Sequence, residues 1–394
     1  VPENGENHLR ERLAGELEAL RKDSQLRRLD SLRGINLCSN DYLGLASDEQ
    51  LKRAVIDAVA DAAAVGSTGS RLLSGNSPEW EALETEFATF AATEAALYFG
   101  SGYAANVGLL SSILKPGDIV FSDALNHASL IDGMRLSGAR KVIYPHGDLN
   151  FLENALREHA GAAGVRVIVT ESVFSMEGDV APVAVLAGLA RTYGAELVID
   201  EAHATGVCGP EGRGIVAGLG LSREILAIVH TCGKALASAG AFVCCGGELK
   251  NYLVNRSRTF IFSTAMPPYM AGQIRAALAL ARAADDRRAH LVEISAALRQ
   301  KLAHAGIGTG SSTTHIVPIF FGSNEAALHV AGEVQANGFA VKAIRPPTVP
   351  AGTARVRISL TSQITMEQID RLTEVIVRAE KSLSLPSSSS AVHA

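Results

Sequence analysis

The stretch Ile228-Val-His-Thr-Cys-Gly-Lys234-Ala235 decides how the chain is read. Apolar residues from Ile225 to Val229 predict a buried strand, and Thr231-Cys-Gly ends it with turn chemistry. Lys234 therefore falls on a tight turn just past a strand end, where open α/β sheets bind their ligands. A single lysine is more often a solvated surface charge, so its meaning depends on what lies upstream. Upstream stands Leu197-Val-Ile-Asp200-Glu-Ala-His203-Ala-Thr-Gly206, a second buried run that leads into an aspartate, with a histidine soon after. The separation of Asp200 and Lys234 leaves room for one crossover, helix included, between adjacent parallel strands.

An acid at one strand end and a lysine at the next suit pyridoxal phosphate. That cofactor withdraws electrons only while its ring nitrogen stays protonated. A carboxylate such as Asp200 keeps it so, and Lys234 supplies the Schiff-base amine. Asp200-Glu-Ala-His203 also spells the acidic box of DEAH helicases. A helicase needs the phosphate loop G-x-x-x-x-G-K-[ST]. Here Ile228 stands where the first glycine belongs and Ala235 follows the lysine, so that loop fails. The charge balance agrees, with 36 Lys+Arg against 41 Asp+Glu and no basic stripe for nucleic acid.

The 394 residues, 47% hydrophobic and 20% charged, suit one large core and a second, smaller domain. A net charge of -5 argues against a polyanion partner. The five cysteines, odd in number and without a paired framework, point to a reducing, cytoplasmic setting. No Cys/His spacing resembles a zinc site, and no metal is expected. Cys232, beside the lysine, reads as a small buried filler because no base stands next to it. No uncharged apolar run is long enough for a membrane span, and the polar start is unlike a signal peptide.

Strands are expected at Ala96–Phe99, Ile119–Ser122, Lys141–Tyr144, Val165–Thr170, Glu196–Ile199, Ile225–Val229 and Ala241–Cys245. Most are short continuous apolar runs, the mark of a sheet covered on both faces. Segments of helical length and period separate them, such as Leu149–Ala160 and Val183–Tyr193. The fold class is α/β, a large, mostly parallel seven-stranded sheet between helices. A helix is expected over Leu9–Leu29 and a long, broken helical stretch from Pro267 to Ala305. Strands near Ile316–Phe320, Val341–Ile344 and Val356–Leu360 then alternate with helices, as in a smaller α+β domain. The expected division is an N-terminal helix and arm at 1–45, a large domain at 46–285, a small domain at 286–382 and a disordered, serine-rich tail at 383–394.

Further candidates follow other strands. Gly100-Ser-Gly102-Tyr103 opens a helix, where backbone N–H groups bind phosphate, although an ordinary strand-to-helix turn has the same spelling. His127 is placed to stack on a flat ring or to cap the next helix. Ser175 offers a hydroxyl for a phenolic oxygen or for its own turn. Each is weak alone, but Gly102, His127, Ser175, Asp200 and Lys234 all follow strands of one sheet. In the smaller domain, adjacent prolines stiffen Arg345-Pro-Pro-Thr348-Val-Pro, and a guanidinium suits a substrate carboxylate. Arg355 and Arg357 share that segment, so physics alone does not single out Arg345.

Together these residues resemble the α-oxoamine synthases, pyridoxal phosphate enzymes of fold type I, from about Leu9 to Glu380. The matching segments are Ser39-Asn-Asp-Tyr-Leu-Gly-Leu45, Phe99-Gly-Ser-Gly-Tyr-Ala-Ala-Asn106, Asn126-His-Ala-Ser129, Ser172-Val-Phe-Ser-Met-Glu-Gly-Asp179, Asp200-Glu-Ala-His-Ala-Thr-Gly206, Thr231-Cys-Gly-Lys234 and Ile344-Arg-Pro-Pro-Thr-Val-Pro350. The last is the most telling for the biotin-synthesis branch, which condenses L-alanine with a pimeloyl thioester of coenzyme A or acyl carrier protein. A sister reaction uses glycine and a short acyl thioester. The resemblance implies that Lys234 holds the aldehyde, Asp200 pairs with the ring nitrogen and His127 stacks on the ring. It gives Ser175 and His203 the phenolic oxygen, and Thr231, Gly102 and Tyr103 the phosphate. Arg345 and Asn40 would take the amino-acid carboxylate, and Thr348 and Arg27 would lie near the acyl substrate. Ser263-Thr264 resembles a segment that reaches the neighbouring subunit's phosphate, which implies a homodimer. Arg71 matches only some relatives.

Overall fold

The computed structural model describes residues 8–31 and 33–383. They divide into two compact units. The larger comprises Asn40–Val292 with Thr361–Gln363; the smaller holds the described residues of Val1–Ser39, Glu293–Leu360 and Ile364–Ala394. The division falls at 292/293, inside a helix, whereas 285/286 was expected, and the N-terminal arm is shared between the units. Of the tail expected at 383–394, Leu383 is the last residue of a helix and the rest lie outside the described residues.

The chain opens with α1 (His8–Lys22), β1 (Ile35–Asn36), α2 (Glu49–Asp61) and α3 (Pro78–Ala91). Strands and helices then alternate: β2 (Ala95–Phe99), α4 (Gly102–Ile113), β3 (Ile119–Asp123), α5 (Ala128–Ser137), β4 (Arg140–Tyr144) and α6 (Leu149–Glu158). Next come β5 (Arg166–Glu171), α7 (Val183–Tyr193), β6 (Glu196–Asp200), α8 (Ile215–Gly218), β7 (Ala227–Thr231) and β8 (Ala241–Cys245). Helices α9 (Gly247–Arg256), α10 (Arg258–Ile261), α11 (Tyr269–Arg282) and α12 (Asp285–His304) follow. The chain ends with β9 (Ile316–Gly322), α13 (Asn324–Ala336), β10 (Phe339–Ala340), β11 (Ala343–Ile344), β12 (Ala354–Ser359) and α14 (Met366–Leu383).

The expected seven strands form one sheet, in the order β2-β8-β7-β6-β5-β3-β4. β3 through β7 pair in parallel, and β8 runs antiparallel to both its neighbours. Side chains alternate between faces along a strand, so the apolar runs feed two cores. On one face Val243, Val229, Val198 and Val169 pack with Leu109, Leu110 and Met134 of α4 and α5. On the other, Phe242 stacks on Phe87 of α3 with centroids 3.9 Å apart, and Tyr98 stacks on Trp80 at 4.2 Å. Each fully buried Leu, Val or Phe contributes about 1.5–3 kcal/mol.

β7 runs on to Thr231, past the expected end at Val229. Two polar residues close it, and each makes a buried contact through one side-chain atom. His230 Nδ1 lies 2.9 Å from Thr205 Oγ1, and Thr231 Oγ1 donates to the Ala202 carbonyl at 3.4 Å. α1 stops at Lys22 rather than Leu29, because its leucine stripe ends at Leu20 and Ser24 takes a left-handed conformation, φ 54°. In the smaller unit β1 pairs in parallel with β10, and β9 and β12 pair antiparallel beside β11. Of the strand expected over Val341–Ile344 only Ala343–Ile344 forms, as β11; β10 lies just ahead of it and joins a different sheet. No described helix is long and apolar enough to cross a membrane.

Candidate active site

The ends of β5, β6 and β7, with the turns that follow β2, β3 and β7, surround a cavity of about 390 Å³ in the larger unit. Its wall includes Gly102, Tyr103, His127, Asp200, His203, Thr231 and Lys234, seven of the residues singled out in the sequence. They converge because parallel strands deliver their C-terminal turns to one edge of the sheet.

At one side is the start of α4. Ser101 Oγ accepts the Ala104 N–H at 3.0 Å and caps the helix, while the first-turn N–H groups have no partner within it. Gly102 is required here, since a Cβ would come within 2.7 Å of Thr231 Cγ2. The close approach sets the Thr231 side chain against the helix N-terminus, and the pair makes an anion site. Tyr103 leans edge-on to His127, with ring centroids 6.5 Å apart, and its hydroxyl donates to Asp132.

Across the cavity Lys234 Nζ lies 2.8 Å from His203 Nε2. His203 Nδ1 lies 2.6 Å from the Tyr42 hydroxyl, which donates to Asn40 Oδ1 at 3.0 Å. The two ring nitrogens of His203 thus link the lysine amine to the Tyr42–Asn40 pair. Asp200, buried at the end of β6, accepts from the Ala202 N–H at 2.8 Å and from Asn106 Nδ2 at 2.6 Å.

His127 caps α5. Its ring opens to the cavity but is largely walled by protein. That desolvation lowers its pKa, against the pull of the Asp200 charge and with the push of Lys234. Its backbone N–H donates to Glu171 Oε1 at 2.7 Å. Glu171 ends β5 in register with Asp200, and burial beside that carboxylate pushes its pKa up to about 8.

Seven expected site residues are not part of this wall: Ser175, Ser263, Thr264, Asn40, Arg27, Arg345 and Thr348. Ser175 is half-buried on the turn after β5 and is not part of the wall. Ser263 and Thr264 are exposed, and Thr264 forms an antiparallel bridge with Ser70. Arg71, in the same glycine-rich stretch, pairs at 2.9 Å with buried Glu84, which ties that loop to α3. In the smaller unit Arg27 Nη2 donates to Thr348 Oγ1 at 3.1 Å, and Arg345 Nη1 donates to the Ser24 carbonyl. Burial and the nearby Arg27 charge lower the pKa of Arg345. Glu171, Tyr42, Asn106 and Ser129 were given no role in the sequence reading. Tyr42, Asn106 and Ser129 lie inside the segments that carried the resemblance, which was the available signal, and Glu171 immediately precedes one of them.

The cavity suits pyridoxal phosphate. It offers an anion site at α4, a buried carboxylate for a protonated ring nitrogen and an amine for the aldehyde. Two of its wall residues, Asn106 and Ser238, each carry a buried oxygen with no partner among the described residues, so the cavity has bonds left to give a polar ligand.

Residues 33–376 match the aminotransferase class I and II family, and the chain belongs to it. It is a pyridoxal-phosphate-dependent transferase related to the α-oxoamine synthases. It is 44% identical over 388 residues to the 8-amino-7-oxononanoate synthase of Geobacter sulfurreducens, covering 95% of this chain and 99% of that one. Among solved structures, Sphingomonas wittichii serine palmitoyltransferase superposes with a TM-score of 0.87 at 27% identity, over 96% of this chain and 98% of that one. The 8-amino-7-oxononanoate synthase of Francisella tularensis superposes with a TM-score of 0.78 at 29% identity, over 89% and 99%. Enzymes with different names thus share this backbone, and shape does not choose between their substrates.

Proposed function

We propose that the protein condenses L-alanine with a pimeloyl thioester, of coenzyme A or acyl carrier protein, to give 8-amino-7-oxononanoate, carbon dioxide and free thiol, the reaction of biotin synthesis. The observation that carries this reading is 44% identity along nearly the whole chain to an enzyme named for that product. The loop Arg345-Pro-Pro-Thr348-Val-Pro350 supports it from within the sequence.

When bound, pyridoxal phosphate supplies the electron sink for carbanion chemistry at the alanine Cα. The chain's own residues do the rest. Lys234 Nζ takes the Cα proton, and His203 Nε2, 2.8 Å away, holds the amine in place. Asp200 keeps the ring nitrogen protonated, and His127 covers the ring face. Thr231 and the N–H groups of Gly102 and Tyr103 take the phosphate, while Ser175 and His203 take the phenolic oxygen. Arg345 and Asn40 bind the alanine carboxylate until it leaves as carbon dioxide, and Thr348 and Arg27 meet the acyl chain.

The working form is a homodimer in which Ser263 and Thr264 reach the partner's phosphate. Exposed apolar side chains support assembly: Leu72, Leu73 and Phe262 near that segment, and Leu9, Leu13 and Leu17 along α1. Five free cysteines suit a cytoplasmic enzyme. The test supplies carboxyl-labelled alanine and pimeloyl thioester to purified enzyme. Labelled carbon dioxide and free thiol are expected in equal amounts. Thiol release without carbon dioxide contradicts the condensation.

A further inference from the structure

Asp200 and His127 come from different loops, yet one chain of buried hydrogen bonds joins them. Asn106, on the second turn of α4, is 1% exposed and Ser129, on the first turn of α5, is 0% exposed. Asn106 Nδ2 donates to Asp200 Oδ2 at 2.6 Å and to Ser129 Oγ at 2.9 Å. Ser129 Oγ lies 2.8 Å from His127 Nδ1, and the Ser129 N–H donates to the same nitrogen at 3.2 Å. The helices come close enough because residue 133 is glycine, where a Cβ would sit 2.9 Å from the Asn106 carbonyl oxygen.

The proton positions follow from valence. An ionised carboxylate only accepts, so the Asn106 amide must turn its nitrogen to Asp200. Its second N–H then points at Ser129 Oγ, which leaves the single Ser129 proton for His127 Nδ1. With two donors aimed at Nδ1, the imidazole carries its hydrogen on Nε2. We propose that Asn106 and Ser129 are positioning residues that hold Asp200 and His127 as one unit, with Asp200 fixed in rotation and His127 held as the neutral, Nε2-protonated tautomer. This rests on the reading that Asp200 serves the ring nitrogen and His127 the ring face.

The groups that bear on the His127 charge are Asp200 from β6, Lys234 from the turn after β7, Glu171 from β5 and Tyr103 from α4. A protonated Nδ1 would face the Ser129 N–H and lose that hydrogen bond, while the Ser129 hydroxyl would have to turn from donor to acceptor. The network therefore favours the neutral imidazole.

The test uses the holoenzyme with Ser129→Ala and Asn106→Leu, and Ser129→Thr as the conservative control. Circular dichroism establishes folding, and two readouts follow: the pH profile of kcat/KM and the absorption spectrum of the bound cofactor against pH. Ser129→Ala is expected to lower kcat/KM roughly 10–100-fold, as for loss of a bond linked to a charged group. It should also move the acid limb of the profile upward, and Ser129→Thr should restore both. Asn106→Leu should alter the pH dependence of the cofactor spectrum. A folded Ser129→Ala enzyme with the parent's pH profile and spectrum overturns the inference; should Asn106→Leu fail to fold, Ser129→Ala decides alone. Asp200→Asn separates the two levels. If it leaves turnover and spectrum unchanged, the underlying reading of the site has failed; if it abolishes turnover while Ser129→Ala is silent, only the network has failed.

Discussion

A lysine amine 2.8 Å from a histidine nitrogen, at the lip of a cavity floored by a buried aspartate, is the smallest unit that explains this protein. In Lys234→Ala the cofactor still has its phosphate site, but no amine remains to take the Cα proton. Turnover should fall by several orders of magnitude, read as thiol release, while cofactor still titrates into the folded protein. Asp200→Asn keeps the shape and removes the charge. Exchange of the alanine Cα proton should slow by orders of magnitude, and exchange at the parent rate would remove Asp200 from its role. The carboxylate partner is tested by a pair. Arg345→Ala should raise the alanine KM more than Arg357→Ala, which removes a buried arginine of β12; the reverse order would move the role to Arg357. The residues legible in the sequence were those whose position carried meaning. Lys234, Asp200, His127 and Gly102 each follow a strand, and the sheet brings strand ends together. Asn106 and Ser129 had no role legible from position, because an asparagine and a serine near the starts of helices look like ordinary local hydrogen-bonders. Only the close packing of α4 on α5 brings them together.

At the scale of elements, the loop after β3 and the turn after β5 are fastened by one side chain. His146 Nδ1 lies 2.9 Å from Asp123 Oδ1, and its Nε2 lies 2.9 Å from Asp179 Oδ2. Burial alone would lower its pKa, but the two carboxylates outweigh burial and push it up to about 10 from an ordinary 6.5. A histidine with a raised folded-state pKa contributes stability that is complete below the unfolded value and is lost as pH rises toward the folded one. The melting temperature of the parent should therefore exceed that of His146→Gln most at pH 6 and below. The gap should narrow between about pH 6.5 and pH 10. A gap constant across that window would mean that His146 is held by shape rather than charge. Elements were legible where burial is two-sided, as in the seven strands of the large sheet. They were misjudged where pairing, not pattern, set the ends. Nothing in the pattern of Phe339–Ile344 marks the break at Val341–Lys342 between β10 and β11, because the two strands answer to different partners. The excess length expected of α1 came from continuing a charged helical pattern after its apolar stripe had ended at Leu20. No residue of α1 is buried to reward further turns.

For the molecule as a whole, the account requires two copies of the chain. If Ser263 and Thr264 complete the partner's phosphate site, mixed dimers of Lys234→Ala and Thr264→Ala should regain activity that neither variant has alone. A fully active monomer at assay concentration would contradict that arrangement. The choice of substrates is the claim on which the rest depends. One methyl group in an apolar pocket separates alanine from glycine by only about 1–3 kcal/mol, or roughly 10–200-fold. The acyl chain should discriminate further, since each buried methylene of a pimeloyl group contributes about 0.8 kcal/mol that an acetyl group lacks. The direct measurement is kcat/KM for alanine with pimeloyl thioester against glycine with acetyl thioester, on the same enzyme preparation. The account predicts that the alanine and pimeloyl pair is preferred by more than the methyl alone provides. Preference for glycine and acetyl thioester would contradict the substrate assignment and leave only the cofactor chemistry standing.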